Sequence, residues 1–220
     1  MTAGSSAIRA ILFDFGGVVL SSPIAAFRAH EVRANLPAGF IQRLNMTDPD
    51  TNAWARMERG ELDEDGFYQR FEAEALASGH AMNAREVLSG IGGELRPGMV
   101  EVIREAKKRY VVACLTNNMR LGHGTAMSAT PEAAAEIAEV MKLFDHVVES
   151  AKIGSRKPER RFFEKACEIV AVPPEACVFL DDLGMNLKTA RALGMKTIKV
   201  TDPAQAIAEL ESTLGHRLRP

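Results

Sequence analysis

The chain has 220 residues, enough for one sizeable domain or a core carrying a smaller insertion, because single hydrophobic cores stop growing near ~250 residues. Its 27 basic and 29 acidic residues nearly cancel, which excludes the positive field that draws proteins onto nucleic acid or anionic membranes and points to a small partner. Cys114, Cys167 and Cys177 lack paired spacing and read as reduced thiols in a cytoplasm, while the apolar stretch Ala10 to Leu20, broken by Asp14, falls short of the ~20 residues of a membrane span and lacks a signal-peptide pattern.

In chain order, the apolar run Ile8–Phe13 predicts a first strand. The interval from about Ser21 to about Leu95 has apolar residues at helical spacing, charged faces and no convincing strand, and reads as an inserted helical cap. Strands and helices then alternate: helix Pro97–Arg109, strand Val111–Leu115, helix Pro131–Lys142, strand His146–Glu149, helix Pro158–Val170, strand Cys177–Leu180, helix Asn186–Leu193, strand Thr197–Val200 and helix Pro203–Leu214. The helices open near a proline or a capping residue. Short apolar strands joined by helical crossovers define a doubly wound α/β core with a parallel sheet, formed by residues 1–20 and 96–220, with 21–95 as the cap.

In such sheets ligands bind beyond the carboxyl ends of the strands, where strand order reverses. Asp14 follows the first strand, Thr116 and Asn117 the second, and Asp181 and Asp182 the fourth, while Lys157 stands in a loop entering a helix. Taken singly, each has an ordinary reading: a strand-end turn for Asp14 and for Thr116-Asn117, and a solvated charge in Arg156-Lys157-Pro158-Glu159 for Lys157. Asp181-Asp182 is harder to dismiss, because adjacent carboxylates repel and are eased by a cation. Magnesium, which takes oxygen ligands, suits them. Zinc has no histidine cluster or cysteine pair to hold it, and His30, His80, His123, His146 and His216 read as surface or packing residues. A carboxylate at Asp14 can attack phosphorus, and Lys157 and the Thr116 hydroxyl can balance charge on the equatorial oxygens.

Asp14-Phe15-Gly16-Gly17-Val18, Thr116-Asn117, Lys157-Pro158 and Asp181-Asp182-Leu183-Gly184, in that order, resemble the four motifs of the haloacid dehalogenase superfamily. The stretch Val178 to Lys188, and Trp54 to Phe67 with its Arg-Gly-Glu-Leu-Asp turn, resemble its subfamily IA, in particular the N-terminal domains of soluble epoxide hydrolase and of multidomain acyl-CoA dehydrogenase family members. The resemblance implies a Rossmann-like, three-layer α/β/α core with a C1-type helical cap. It implies that Asp14 is nucleophile and metal ligand, and that Asp182 and the Gly16 backbone carbonyl complete the protein ligands of Mg2+. It further implies that Thr116 and Lys157 contact the phosphoryl group, that Asp181 holds Lys157 or a metal-bound water, and that Asn117 orients the site. The implied partner is a small phosphorylated metabolite or a lipid phosphate.

One position departs from the pattern. Family phosphatases carry a second aspartate two residues after the nucleophile, which protonates the leaving group, and here Gly16 stands there. A positioned acid is worth ~10²–10⁴ in rate. Three readings compete: a magnesium-dependent phosphatase, slow or restricted to good leaving groups; a non-catalytic module that binds a phosphorylated ligand; and a metal-free dehalogenase, disfavoured by the paired Asp181 and Asp182. Trp54, Phe67 and Phe71 read as cap core rather than pocket wall.

Overall fold

The structure is a computed structural model that describes residues 7–118 and 130–218, so His123 lies outside the described residues. Strand β1 (Ala10–Phe13) leads through an irregular turn at Phe15–Val19 into five helices: α1 (Ile24–Arg33), α2 (Phe40–Met46), α3 (Ala53–Glu58), α4 (Glu64–Ala77) and α5 (Ala84–Ser89). There follow α6 (Pro97–Ala106), β2 (Val111–Thr116), α7 (Pro131–Met141), β3 (His146–Glu149), α8 (Ser150–Ile153), α9 (Arg160–Val170), β4 (Cys177–Asp181), α10 (Gly184–Ala192), β5 (Lys196–Lys199) and α11 (Pro203–Leu214). The side chains of Asn52, Asp63, Asn83, Thr130 and Asp202 each accept a backbone N–H at a helix start, satisfying donors the helix cannot. Pro97, Pro131 and Pro203 sit in the first turn, where no donor is lost.

The sheet is parallel, in the order β3-β2-β1-β4-β5. Side chains alternate across it with a period of two. Ile11 and Phe13 face an apolar layer shared with α6, α7 and α11, while Ala10 and Leu12 face one shared with α9 and α10. Helices thus cover both faces, the doubly wound three-layer arrangement.

Helices α1 to α5 have a third apolar cluster, anchored by Phe27, Phe40, Ile41, Phe67 and Phe71. Phe67 and Phe71 stack at 5.1 Å and are fully buried. Each contributes ~1.5–3 kcal/mol, which is what holds α4, a helix otherwise polar along most of its length. The chain leaves the sheet at Leu20 and returns at Leu95, and these two residues form an antiparallel bridge.

Several boundaries differ from the sequence reading. The first strand starts at Ala10 rather than Ile8, because only from Ala10 does it pair residue for residue with both β2 and β4. The last strand is Lys196–Lys199 rather than Thr197–Val200. Helix α9 starts at Arg160 rather than Pro158, since the chain first turns Lys157 inward beneath the sheet ends. Helix α10 starts at Gly184 rather than Asn186. The one-turn helix α8 was not anticipated, because a strand ending in Glu149 and a helix starting at Ser150 leave no turn residues between them.

Candidate active site

The three central strands, β2, β1 and β4, end side by side, and reversal of the winding at β1 opens a crevice above them. Asp14 follows β1 and its backbone N–H bonds to Leu180 O at 2.9 Å, so the nucleophile candidate is fixed to the end of the neighbouring strand. Thr116 is the last residue of β2 and Asp181 the last of β4; both are buried.

Lys157, which could have been a solvated charge, is 1% exposed and reaches the strand ends from the segment before α9. Its Nζ lies 2.7 Å from Asp14 Oδ1 and 2.9 Å from Asp181 Oδ2. Asp181 also accepts Asn186 Nδ2 at 3.0 and 3.1 Å and the Leu183 N–H at 2.7 Å. Asp181 thus accepts bonds from Lys157, Asn186 and the Leu183 backbone at once. Asn117 sits across the Lys157 backbone, its Oδ1 accepting Lys157 N at 2.8 Å and its Nδ2 donating to Lys157 O at 2.9 Å.

Burial pushes the Asp14 carboxyl well above its ordinary range; Lys157 pulls it back, and Asp181 and Asp182 push it up again. Burial alone would lower the Lys157 pKa, but Asp14 and Asp181 outweigh it and the ammonium is held charged. Asp182, with Ser22 Oγ 3.5 Å from its Oδ2, is pushed up to about 6 by burial and then by Asp181. Asp14, Asp181 and Asp182 each place a carboxylate oxygen within 4.8 Å of the others. Three carboxylates facing one ammonium leave a local excess of negative charge, which suits a divalent cation with oxygen ligands.

The two glycines after Asp14 differ. Gly17 has φ +81, and a Cβ there would lie 2.2 Å from Asp182 Oδ2, so the close approach of this turn to Asp182 requires glycine. Gly16 has φ −70 and ψ 129, an ordinary extended conformation, and an added Cβ meets no atom of the described residues within 4 Å apart from its chain neighbours.

A cavity of about 270 Å³ lies over Asp14, between the strand ends and the inserted helices. Its wall includes Ile24, Phe27, Trp54 and Ile91, and the half-exposed Met46, Leu183 and Met185. Phe67 and Phe71 are core as expected, but Trp54 is both: it touches Phe27, Phe67 and Phe71 and lines the cavity. Asn186, Asn118, Glu58 and Arg156 also belong to the site and were missed. Asn118 binds Glu149 and the Ser150 hydroxyl beneath it. Asn186, in the first turn of α10 five residues beyond Asp181, was the most legible of the four.

His30, on α1, is buried, and neither ring nitrogen has a protein partner among the described residues. His80 packs its ring on Phe40 and His216 pairs with Tyr110.

The chain belongs to the haloacid dehalogenase-like hydrolases, whose family profile matches residues 8–194. It is 34% identical to acyl-CoA dehydrogenase family member 10 of Mus musculus over 98% of this chain and 20% of that protein. It is 28% identical to bifunctional epoxide hydrolase 2 of Mus musculus over 95% of this chain and 39% of that protein, so it spans well under half of either. A sesquiterpene phosphatase of Aspergillus oryzae is 25% identical over 94% of this chain and 97% of its own length. A family enzyme of Bacteroides thetaiotaomicron, solved in complex with magnesium and inorganic phosphate, superposes with a TM-score of 0.59 at 18% identity, covering 87% of this chain and 93% of that one. Among the described residues, no helix is long and apolar enough to cross a membrane.

Proposed function

We propose that this hydrolase is a magnesium-dependent phosphatase acting on an organic phosphate monoester through an aspartyl-phosphate on Asp14. The observation that carries the proposal is the buried Lys157 bridging Asp14 and Asp181, with Asp182 beside them at the mouth of the sheet. Asp14, Asp182 and the Gly16 carbonyl are the protein ligands that would hold Mg2+, which when bound neutralises charge on the phosphoryl oxygens and keeps Asp14 ionised despite its burial. The phosphatase relative and the magnesium–phosphate complex of the structural neighbour support this reading.

In this mechanism an Asp14 oxygen forms a bond to phosphorus as the bond to the alcohol oxygen breaks. Lys157 and the Thr116 hydroxyl balance charge on the equatorial oxygens, and Asn117 keeps the Lys157 backbone in place. The departing alkoxide takes its proton from water, since Gly16 has none to give. A water then attacks the aspartyl-phosphate, releasing phosphate and restoring the Asp14 carboxylate. Residues 21–95 act as the cap, and the apolar wall formed by Ile24, Phe27, Trp54 and Ile91 favours a substrate with an apolar body, such as a lipid phosphate, over a sugar phosphate.

Gly16 favours a second reading, in which the site binds a phosphorylated ligand without turning it over. Turnover of an aryl phosphate separates the two. The phosphatase releases phosphate with magnesium, stops on its removal by chelator, and is silent as Asp14→Asn. Magnesium-supported binding of orthophosphate without turnover would leave the binding module.

A further inference from the structure

The Arg-Gly-Glu turn after α3 has no part in the chemistry above, yet it meets the core where Lys157 is mounted. Gly60, at φ +72, brings this turn so close to α8 that an added Cβ would lie 2.8 Å from Ala151 O. The two residues before it face the segment 155–159 with opposite charges. Glu58 is buried; its Oε2 accepts Arg156 Nε at 2.5 Å and Asn117 Nδ2 at 3.1 Å, and its Oε1 accepts Trp54 Nε1 at 3.0 Å. Arg59 places Nη1 3.3 Å from Glu159 Oε1, and the other oxygen of Glu159 accepts the Ser155 hydroxyl at 2.7 Å and the Arg156 N–H at 3.3 Å. Lys157 therefore stands between Arg156 and Glu159, each paired to a neighbouring residue at the end of α3. The same Asn117 amide that bonds Glu58 also clamps the Lys157 backbone.

We propose that Glu58 and Arg59 are positioning residues, through which the seating of the inserted helices sets the placement of the Lys157 ammonium between Asp14 and Asp181. Seating and placement then share one equilibrium. Glu58 reaches the site through Asn117 and Arg156, and its two oxygens are occupied by Trp54, Asn117 and Arg156. The Arg156–Glu58 pair is little exposed, with side-chain exposures of 14% and 10%, so water screens it weakly, whereas Glu159, at 31%, leaves the Arg59–Glu159 pair more open to solvent. The consequence for catalysis rests on the phosphatase reading; the consequence for Lys157 does not.

The test uses the full chain without metal or substrate. An amine-acylating reagent is applied and labelling of Lys157 is followed by mass spectrometry, with Lys165 on α9 as internal reference. In the wild type, Lys157 is protected by burial. Loss of a charge-assisted bond at each position shifts the local equilibrium by about ten- to a hundredfold. The double variant Glu58→Ala/Arg59→Ala is therefore expected to label Lys157 at least about tenfold faster relative to Lys165, and Glu58→Gln, which keeps its size and one acceptor, is expected to fall between. In the aryl phosphate assay the variants lower kcat with little change in KM. A variant that still melts cooperatively yet leaves Lys157 labelling unchanged overturns the proposal, as does a rise in KM alone, which would make Glu58 part of the substrate wall. Faster Lys157 labelling in a chain whose wild type shows no turnover keeps the proposal and removes the phosphatase reading. If the double variant does not fold, Arg59→Glu supplies the same readout by setting like charges at Glu159, and its reversal by Glu159→Arg is required.

Discussion

Gly16→Asp is expected to supply a side-chain proton donor at a position that has none. The backbone at this position is extended, no heavy atom of the described residues beyond its chain neighbours lies within 4 Å of the added Cβ, and Gly16 borders the cavity, so the side chain points into cavity space. A positioned general acid is worth ~10²–10⁴ in rate. Against this, the new carboxylate joins three others facing one lysine. Its own ionisation and that of Asp14 are thereby disfavoured until a dication binds, which discounts the gain by about tenfold, the equivalent of one pKa unit. The net expectation is a rise of about 10- to 10³-fold in kcat/KM for an alkyl phosphate, the discounted form of the general-acid range, with little change for an aryl phosphate whose leaving group needs no proton. Both substrates are assayed at saturating magnesium with Tm recorded in parallel. A Gly16→Asp protein that keeps its Tm and binds magnesium, yet changes both substrates equally, would refute the reasoning and show that proton donation does not limit this site.

Gly17→Ala is the contrasting substitution: a Cβ at φ +81 overlaps the Asp182 carboxylate, so strain of ~1–3 kcal/mol is expected, with a Tm lower by several degrees and weaker magnesium binding by calorimetry. Asp182→Ala is expected to abolish the calorimetric magnesium signal, whereas Lys157→Ala lowers turnover with less effect on metal affinity; unchanged magnesium affinity in Asp182→Ala would place the metal elsewhere. Replacing His30, which is buried and has no hydrogen-bond partner among the described residues, by Leu is expected to stabilise the fold by about 1 kcal/mol or more at pH 7, judged by urea denaturation. Burial, and then Arg33, holds the His30 pKa below its ordinary 6.5. The unfolded chain therefore takes up a proton the folded one resists, and stability is lost as pH falls from 6.5 toward the folded value. The advantage of His30→Leu is expected to widen between pH 7.5 and pH 5; a constant difference would show that His30 does not titrate differently in the two states.

The fold was legible because its signals are local and repeated. Apolar runs such as Cys177 to Leu180 are buried on both faces, and prolines such as Pro97, Pro131 and Pro203 mark helix starts without reference to anything distant. The strand-end carboxylates were legible for a related reason: polar residues that close apolar runs stand at the mouth of a parallel sheet. Lys157 was ambiguous, because its burial depends on Asp14 and Asp181 meeting it from two strand ends distant in sequence, and nothing in Arg156-Lys157-Pro158-Glu159 distinguishes it from a surface charge. Glu58 and Arg156 were illegible for the same reason at greater range: their meaning is a contact across 98 residues of chain. The conformational difference between Gly16 and Gly17 was likewise invisible in a Gly-Gly pair.

The doorway between sheet and inserted helices is narrow. Besides the Leu20–Leu95 bridge, Ser21 N bonds to Glu94 O at 2.8 Å, Arg96 N to Val19 O at 2.9 Å, and the Arg96 guanidinium to Gly17 O at 2.7 Å. Outgoing and returning chains are thus held about one strand spacing, ~4.8 Å, apart. Topologically the helices are a detachable room on a finished house: any segment whose ends meet at that spacing fits the same threshold. Insertions, deletions or exchange between Ser21 and Glu94 can then remodel what hangs over Asp14 without touching the strands below, provided the replacement renews what Ser22 gives Asp182 and what Glu58 and Arg59 give the segment carrying Lys157.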